Sequence, residues 1–469
     1  MNGKAAFQLN IKMGTELYLL LPVILWLLGW VQVWLSVPLV LVLFYFAWKH
    51  CRVLKCAGAG DSFALSLRHG FVYAVLSALA VFLCGFDGRV MQSWDLVVRN
   101  PIYSELIRSD WPLIMPDDRV VMYALMFWLP PALLSKWVAG AGVYALQGWC
   151  FLGAFLMLLN LHGTLGLKRT LLVVAGICIF VPFAGVADDV LNVIFHIDAK
   201  FAVHFRLPSA ATQWTNTFHY FIAGGLYLCL TTERKLPTGQ YVLVSALFAC
   251  LHPILASVVF PLVAWNIVKE IGGWRNVFSL LKLPEVYIGG VLVLIFMLYY
   301  SSGGACWWAF TLDAPYAPVE SRWLIYVLGL VLAVIPPLLV WWSTRQKIML
   351  LWAAWCPVII TCWYGEHNGV NEWMYKFTVL YSFYIVYYLA RHIEHRKVQV
   401  VAVLLLACSS LSFLRMVDHS GIIGAALNGF PVQPGNIQDS WGGSFYHPES
   451  HIYHNMTARD MRCSGLFRK

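Results

Sequence analysis

The chain has 469 residues, of which 60% are hydrophobic and only 12% charged, against about 25% charged in an ordinary soluble domain. One water-soluble core of this length cannot hide so much apolar surface, so composition excludes a soluble globular protein. The formal charge of +9 is explained by orientation in a membrane, where basic residues collect in cytoplasmic loops, and not by nucleic-acid binding.

Lys4 and Lys12 precede the first apolar run. That run lacks a cleavage-site pattern and leads straight into another, so it reads as an anchor and not as a removable signal peptide. Leu17 to Trp48 is too long for one crossing, since roughly 30 Å of hydrocarbon takes about 20 residues. With Lys12 and Lys49 at its ends and Gly29 to Pro38 as a turn, it predicts a helical hairpin. Phe71 to Gly85 predicts the next crossing. Val120 to Val138 is broken by Pro130-Pro131 and ends in Ser135-Lys136-Trp137. If it crossed, every later basic cluster would turn outward. If it lies along or dips into the outer face, Lys168/Arg169, Arg234/Lys235, Lys269/Arg275/Lys282, Arg345/Lys347 and Arg391/Arg396/Lys397 all stay cytoplasmic. It therefore predicts an interfacial or re-entrant helix pair.

Val143 to Leu161, Leu171 to Ala187 and Asn216 to Leu230 predict single crossings. Tyr241 to Val268 is basic at both ends and holds His252-Pro253 near its middle, so it predicts a second hairpin. Val286 to Tyr300, Trp323 to Trp342, Ile348 to Tyr364, Phe377 to Ala390 and Val398 to Leu414 complete the series. Continuous runs favour helices over a barrel, which needs alternating strands. The expected fold is an all-α polytopic membrane protein of about 13 transmembrane helices with outer juxtamembrane or re-entrant helices. Residues 1–417 form the membrane region, including an outer loop at 86–141, and 418–469 an extracytoplasmic tail. The N-terminus is cytoplasmic in this topology. Its inner segments hold 18 Lys and Arg against 6 acids, its outer ones 14 against 17, so chemistry is expected on the outer face.

The first outer loop, Phe86 to Arg119, contains Asp95 just beyond an apolar helix and beside Trp94. A carboxylate there is partly desolvated and suited to base work. Asp117-Asp118 after Pro116 reads as turn chemistry. The second outer loop carries Asp188-Asp189, then His204 and Arg206. Paired acids at a membrane boundary orient a hydroxyl, bind a divalent cation or simply cap a helix. Farther on come Glu372 and Lys376, the latter opening an apolar helix at the outer side against the positive-inside trend. Such a lysine either snorkels or holds an anionic phosphate. The twelve cysteines lie mostly in apolar runs and form no C-x-x-C pair, so no metal site is predicted. A divalent cation stays open as a cofactor. Histidines 447, 451 and 454 of the tail read as parts of an outer cap.

This arrangement resembles the GT-C superfamily of membrane glycosyltransferases, which take sugars from polyprenyl-phosphate or diphosphate carriers. That superfamily has an acidic first outer loop followed by juxtamembrane helices, matched here by Asp95 and by Val120 to Val138. The stretch Asp95-Leu-Val-Val-Arg99-Asn100-Pro-Ile-Tyr-Ser-Glu-Leu106, then Asp110-Trp111-Pro112, then Tyr123 to Lys136 is similar to a group of bacterial GT-C-like membrane proteins of unassigned activity. Their pattern reads D-W-H-K-H-N-x-I-L-x-x-L, then W-P, then Y-Y-x-x-x-x-L-P-A-A-L-V-G-K. Asp95, Asn100, Leu106, Trp111-Pro112 and Leu129 to Lys136 match, whereas His-Lys-His is replaced by Val97, Val98 and Arg99. A late N-D-x-x-x-R element is mirrored by Asn371-Glu372 and Lys376.

The resemblance implies a bacterial inner-membrane enzyme of the cell envelope whose partners are a lipid-linked sugar donor and membrane lipids. It implies Asp95 as general base or as a carboxylate that orients the acceptor, Asp188 or Asp189 as the second acid, and Lys376 with Arg206 on the lipid-linked phosphate. Asn100, His204 and Glu372 would line the substrate. The loss of His-Lys-His leaves the substrate open. Competing readings are a transporter or flippase, an oligosaccharide-unit polymerase and a non-catalytic envelope scaffold. A transporter buries charge near mid-membrane on broken helices, whereas the apolar runs here are nearly free of charge.

Overall fold

A computed structural model describes residues 11–56, 65–87, 89–90, 94–114, 118, 120–122, 124–183, 186, 210–232, 236–301, 307–310, 322–365, 372–419, 457–458 and 466–467. The first run folds as α1 (Ile11–Trp30) and α2 (Val33–Cys56), separated only by Val31 and Gln32. The prolines inside them are tolerated because neighbouring helices re-satisfy the freed backbone groups in a membrane. Next comes α3 (Leu67–Phe82), started by Ser66, whose hydroxyl accepts from the backbone N–H of His69 at 3.2 Å.

The region after α3 forms α4 (Trp94–Arg108), β1 (Val120–Val121), a 3₁₀ turn at Met126–Trp128 and α5 (Leu129–Trp137). Pro130 and Pro131 occupy the first turn of α5, where a missing N–H loses no bond. Nine residues rise only about 14 Å, so α5 does not cross. The predicted helix pair is thus one short helix behind a 3₁₀ turn. It is also not interfacial at its start: residues 126 to 129 and Ala132 are at most 2% exposed, packed into the bundle.

Helix α6 (Gly142–Ile179) has 38 residues, about 57 Å if straight and nearly twice a bilayer core. It is broken at Gly166 (φ 73, ψ 173), a left-handed conformation that glycine adopts without steric cost. The two predicted crossings are therefore joined without a loop, and Lys168-Arg169 begins the second limb. Beyond it lie α7 (Ala210–Thr231), α8 (Thr238–Leu251), α9 (Pro253–Glu270), a 3₁₀ segment (Trp274–Lys282) and α10 (Pro284–Tyr300). The chain continues with β2 (Trp307–Phe310), α11 (Arg322–Thr344), α12 (Lys347–Thr361), β3 (Cys362–Gly365), α13 (Glu372–Arg391), α14 (Arg396–His419) and β4 (Thr457–Ala458).

Among the described residues five helices are long and apolar enough to cross a membrane: α1, α2, α6, α9 and α11. The 3₁₀ segment with α10 adds a sixth as a pair bent by 85°. Large side chains such as Trp34, Leu41 and Phe44 face outward from α2, as a lipid-facing surface requires. The chain is a multi-pass, all-α membrane protein.

The two ends of the bundle are built differently. At the end where α1 begins, Glu16 meets His50 Nδ1 of α2 at 2.7 Å and accepts from Gln240 Nε2 of α8 at 2.6 Å. Lys49 donates to Glu285 of α10 at 2.7 Å. Glycine at 239 makes room for that carboxylate, since a Cβ there would lie 2.6 Å from its carbon. Asn160 of α6 donates to Thr15 at 2.8 Å. At the opposite end β1 pairs antiparallel with β4, Val120 facing Ala458 and Val121 facing Thr457. The Tyr299 hydroxyl donates to the Val121 carbonyl at 2.7 Å. Phe467 packs its ring near Trp26 and Tyr299, and its carbonyl accepts from the Gln32 side chain at 2.8 Å. A second two-stranded sheet joins β2 to β3, Trp307 facing Gly365.

Candidate functional site

Four elements bring polar side chains together at this second end. Helix α4 supplies Arg99 and Asn100. Helix α7 is interrupted at Thr217 (φ −131, ψ 43) and places His219 and Tyr220 just after the break. The third contribution is His252, between α8 and α9. It precedes Pro253, and a residue before proline is driven out of the helical region; its φ of −147 and ψ of 80 are the result. Lys376 comes from the first turns of α13.

All of these are buried: Arg99 is 6% exposed, Lys376 5%, and Asn100, His219 and His252 1% each. Tyr220 is the centre of the group. The Lys376 ammonium lies 4.4 Å and the Arg99 guanidinium 5.8 Å from its ring centroid. Such cation–π contacts contribute about 0.5–2 kcal/mol each and offset part of the repulsion between two like charges. Neither cation is isolated. The His219 and Tyr220 rings are 3.9 Å apart, Tyr220 and His252 4.7 Å, and the two imidazoles 5.5 Å. Both cations lie within electrostatic range of both imidazoles. Trp128, from the turn before α5, closes the group 4.7 Å from His219.

The supporting wall is tied by α4 and α5. Tyr103 donates to the Gly142 carbonyl at 2.8 Å, and the Trp111 indole to the Leu106 carbonyl at 2.9 Å. Lys136 donates to the Ser109 carbonyl and sits 5.0 Å from the Trp111 ring. Burial lowers the pKa of that ammonium, with the Asp110 carboxylate opposing the shift.

Of the residues singled out from sequence, Lys376 lies in this group, and Asn100 follows Arg99 with its side-chain nitrogen unpartnered. Asp95 stands one turn before Arg99 in α4, and Glu372 opens α13 one turn before Lys376; their side chains lie outside the described part. Asp188, Asp189, His204 and Arg206 lie outside the described residues altogether. Among the described residues no three His, Cys, Asp or Glu side chains gather as a metal site. A small pocket of about 10 Å³ lies elsewhere, toward the first end, walled mainly by Leu228, Phe383, Tyr384 and Tyr387 around Asn160. It holds no charged side chain, and the cationic group lies apart from it.

Sequence reasoning passed over His219, Tyr220 and His252, and treated Arg99 only as a departure from a pattern. One signal was available: a histidine before proline inside a long apolar run is an ionisable group at membrane depth, which marks function by default. Comparison with family models, with curated proteins and with solved structures gives no match. The site is therefore interpreted from its own residues.

Proposed function

We propose that the protein is a membrane glycosyltransferase that moves a sugar from a polyprenyl-phosphate-linked donor to an acceptor at the outer face. The observation that carries this reading is the pair of buried cations, Arg99 and Lys376, over one tyrosine ring. In the reaction the bond between the sugar's anomeric carbon and the carrier phosphate breaks, and a bond from that carbon to the acceptor oxygen forms. The acceptor hydroxyl gives its proton to Asp95, and the electron pair of the broken bond leaves with the phosphate. The leaving phosphate gains negative charge, and fixed cations in a low-dielectric site stabilise that change strongly. Lys376 and Arg99 supply them in this reading. With α6 counted as two limbs, the helices make about 13 crossings, the first end faces the cytoplasm and the cationic group the outside.

The test is sugar transfer from a lipid-linked donor pool in membranes, read as acceptor product and as released polyprenyl phosphate. Asp95→Asn keeps shape and removes the base, and is expected to lower the rate on the order of 10²- to 10⁴-fold, with Asp117→Asn nearly unchanged. Wild-type transfer by a normally folded Asp95→Asn protein ends Asp95's role. One observation favours a second reading: His252 sits at a helix break next to buried cations, the pattern of an anion-translocating site. A flippase would move a labelled lipid phosphate across proteoliposomes without consuming donor.

A further inference from the structure

The group around Tyr220 contains more polar capacity than two cations. His219 Nδ1, both ring nitrogens of His252 and Asn100 Nδ2 are buried with no hydrogen-bond partner among the described residues. The His252 ring also lies near the backbone of His219, without reaching hydrogen-bond geometry. Folded proteins seldom leave buried polar atoms in this condition, and a cluster of them asks for a reason. The reason is not packing alone, because phenylalanine would fill the same space without a desolvated nitrogen. Nor is a metal ion suited to these imidazoles, since two fixed cations stand beside them and like charges repel. What the surroundings do suit is an anion.

A neutral imidazole presents one N–H donor. Two such donors meet a guanidinium and an ammonium around one aromatic ring. That set matches a tetrahedral oxyanion with several oxygens to satisfy, not a planar carboxylate that one arginine can bind alone. We propose that His219 and His252 are phosphate ligands: they donate hydrogen bonds to the oxygens of a lipid-borne phosphate that Arg99 and Lys376 hold by charge. This deepens the reading above and rests on it. It also adds a preference. A sugar phosphodiester carries one negative charge, and the phosphate monoester left after transfer carries up to two. Donors and cations together favour the more charged group, so the site binds the departing carrier more tightly than the donor, as a site built for the developing charge must.

The test uses the purified full-length protein in detergent, titrated with farnesyl phosphate as a short carrier mimic, with farnesol and with inorganic phosphate, and read calorimetrically. Wild type is expected to bind farnesyl phosphate and to bind farnesol far more weakly. His219→Phe and His252→Phe each keep the ring volume and remove the donor. Each is expected to weaken farnesyl phosphate roughly 10- to 100-fold, the scale of a hydrogen bond to a charged group, and to leave farnesol binding and thermal melting unchanged. His252→Gln restores a donor and is expected to recover much of the loss. Full farnesyl phosphate affinity in both Phe variants, with Lys376→Met having lost it, overturns the histidine role alone. Equal losses for farnesol and farnesyl phosphate reduce the histidines to packing and also overturn it. Absence of any wild-type binding to farnesyl phosphate overturns both this inference and the proposed function. Equal affinity for inorganic phosphate supports the histidine ligands while overturning a lipid as the source of the anion.

Discussion

Two buried polar groups sit at opposite ends of the same bundle, and they obey different rules. Around Glu16, opposite or complementary groups meet in short contacts across α1, α2, α8 and α10: carboxylate with imidazole, carboxylate with amide, ammonium with carboxylate. Around Tyr220 the described charges are both positive, and His219 Nδ1, the two His252 ring nitrogens and Asn100 Nδ2 beside them have no hydrogen-bond partner among the described residues. The first arrangement ties helices together through these contacts, although among the described residues His50 Nε2, Gln240 Oε1 and Glu285 Oε2 stay unsatisfied in it. In the second, like charges meet, which is the feature on which the proposed anion site rests. Burial alone does not separate the two, because Glu16, His50, Gln240 and Glu285 are as covered as the residues around Tyr220; the pairing of sign and donor does.

The largest contrast to test is which end faces out. A single cysteine at Asp118, beside β1, is expected to react with a membrane-impermeant reagent in intact cells, and one at Lys235, before α8, to stay unlabelled. The reverse pattern would invert the assignment of both clusters. Next in size is the effect of removing one member from each group. Glu16→Ala strands His50 and Gln240, and leaving buried polar partners unsatisfied costs about 1–3 kcal/mol, measurable as a drop in melting temperature in detergent. Lys376→Met is expected to melt like wild type yet lose donor use by roughly 10-fold or more, while Lys376→Arg keeps much of it, since a phosphate requires charge above all. Melting lost at 376 and transfer lost at 16 would reverse the comparison.

The smallest effect belongs to the first end. His392, between α13 and α14, lies 3.3 Å from the Gln346 side chain. Burial lowers its pKa below the ordinary 6.5, reinforced by Arg391, His395 and Arg169. The unfolded chain therefore binds more protons than the folded one below pH 6.5, and stability falls as pH drops through that window and is unaffected above it. His392→Gln is expected to flatten this shallow slope in melting measured from pH 7.5 to 5.

Most helices are legible in the sequence because a bilayer demands long apolar runs, and no tertiary context can waive that demand. The hairpin break at His252-Pro253 is legible for a local reason, since proline forbids the helix from continuing. Gly166 is not: a left-handed residue in an apolar run looks like any other small residue until the backbone is seen. The helix α5 was legible as a non-crossing segment from charge and Pro130-Pro131, but not as a buried one. Lys376 and Asn100 announced themselves by position. His219 and Tyr220 did not, because an isolated imidazole or phenol in an apolar helix is ordinary core until distant segments deliver Arg99 and Lys376 to its face.

The seat of Phe467 against Trp26 and Tyr299 has a consequence for the order in which the protein is made. Its carbonyl meets a side chain 435 residues away in sequence. At about 5–20 residues per second of synthesis, Gln32 waits roughly half a minute or longer for that partner to emerge. During this interval most of the helices can already be inserted, but the pin beside β1 is missing. The contact of Phe467 with Trp26 and Tyr299 thus closes only after the helices that carry the cationic group have been made.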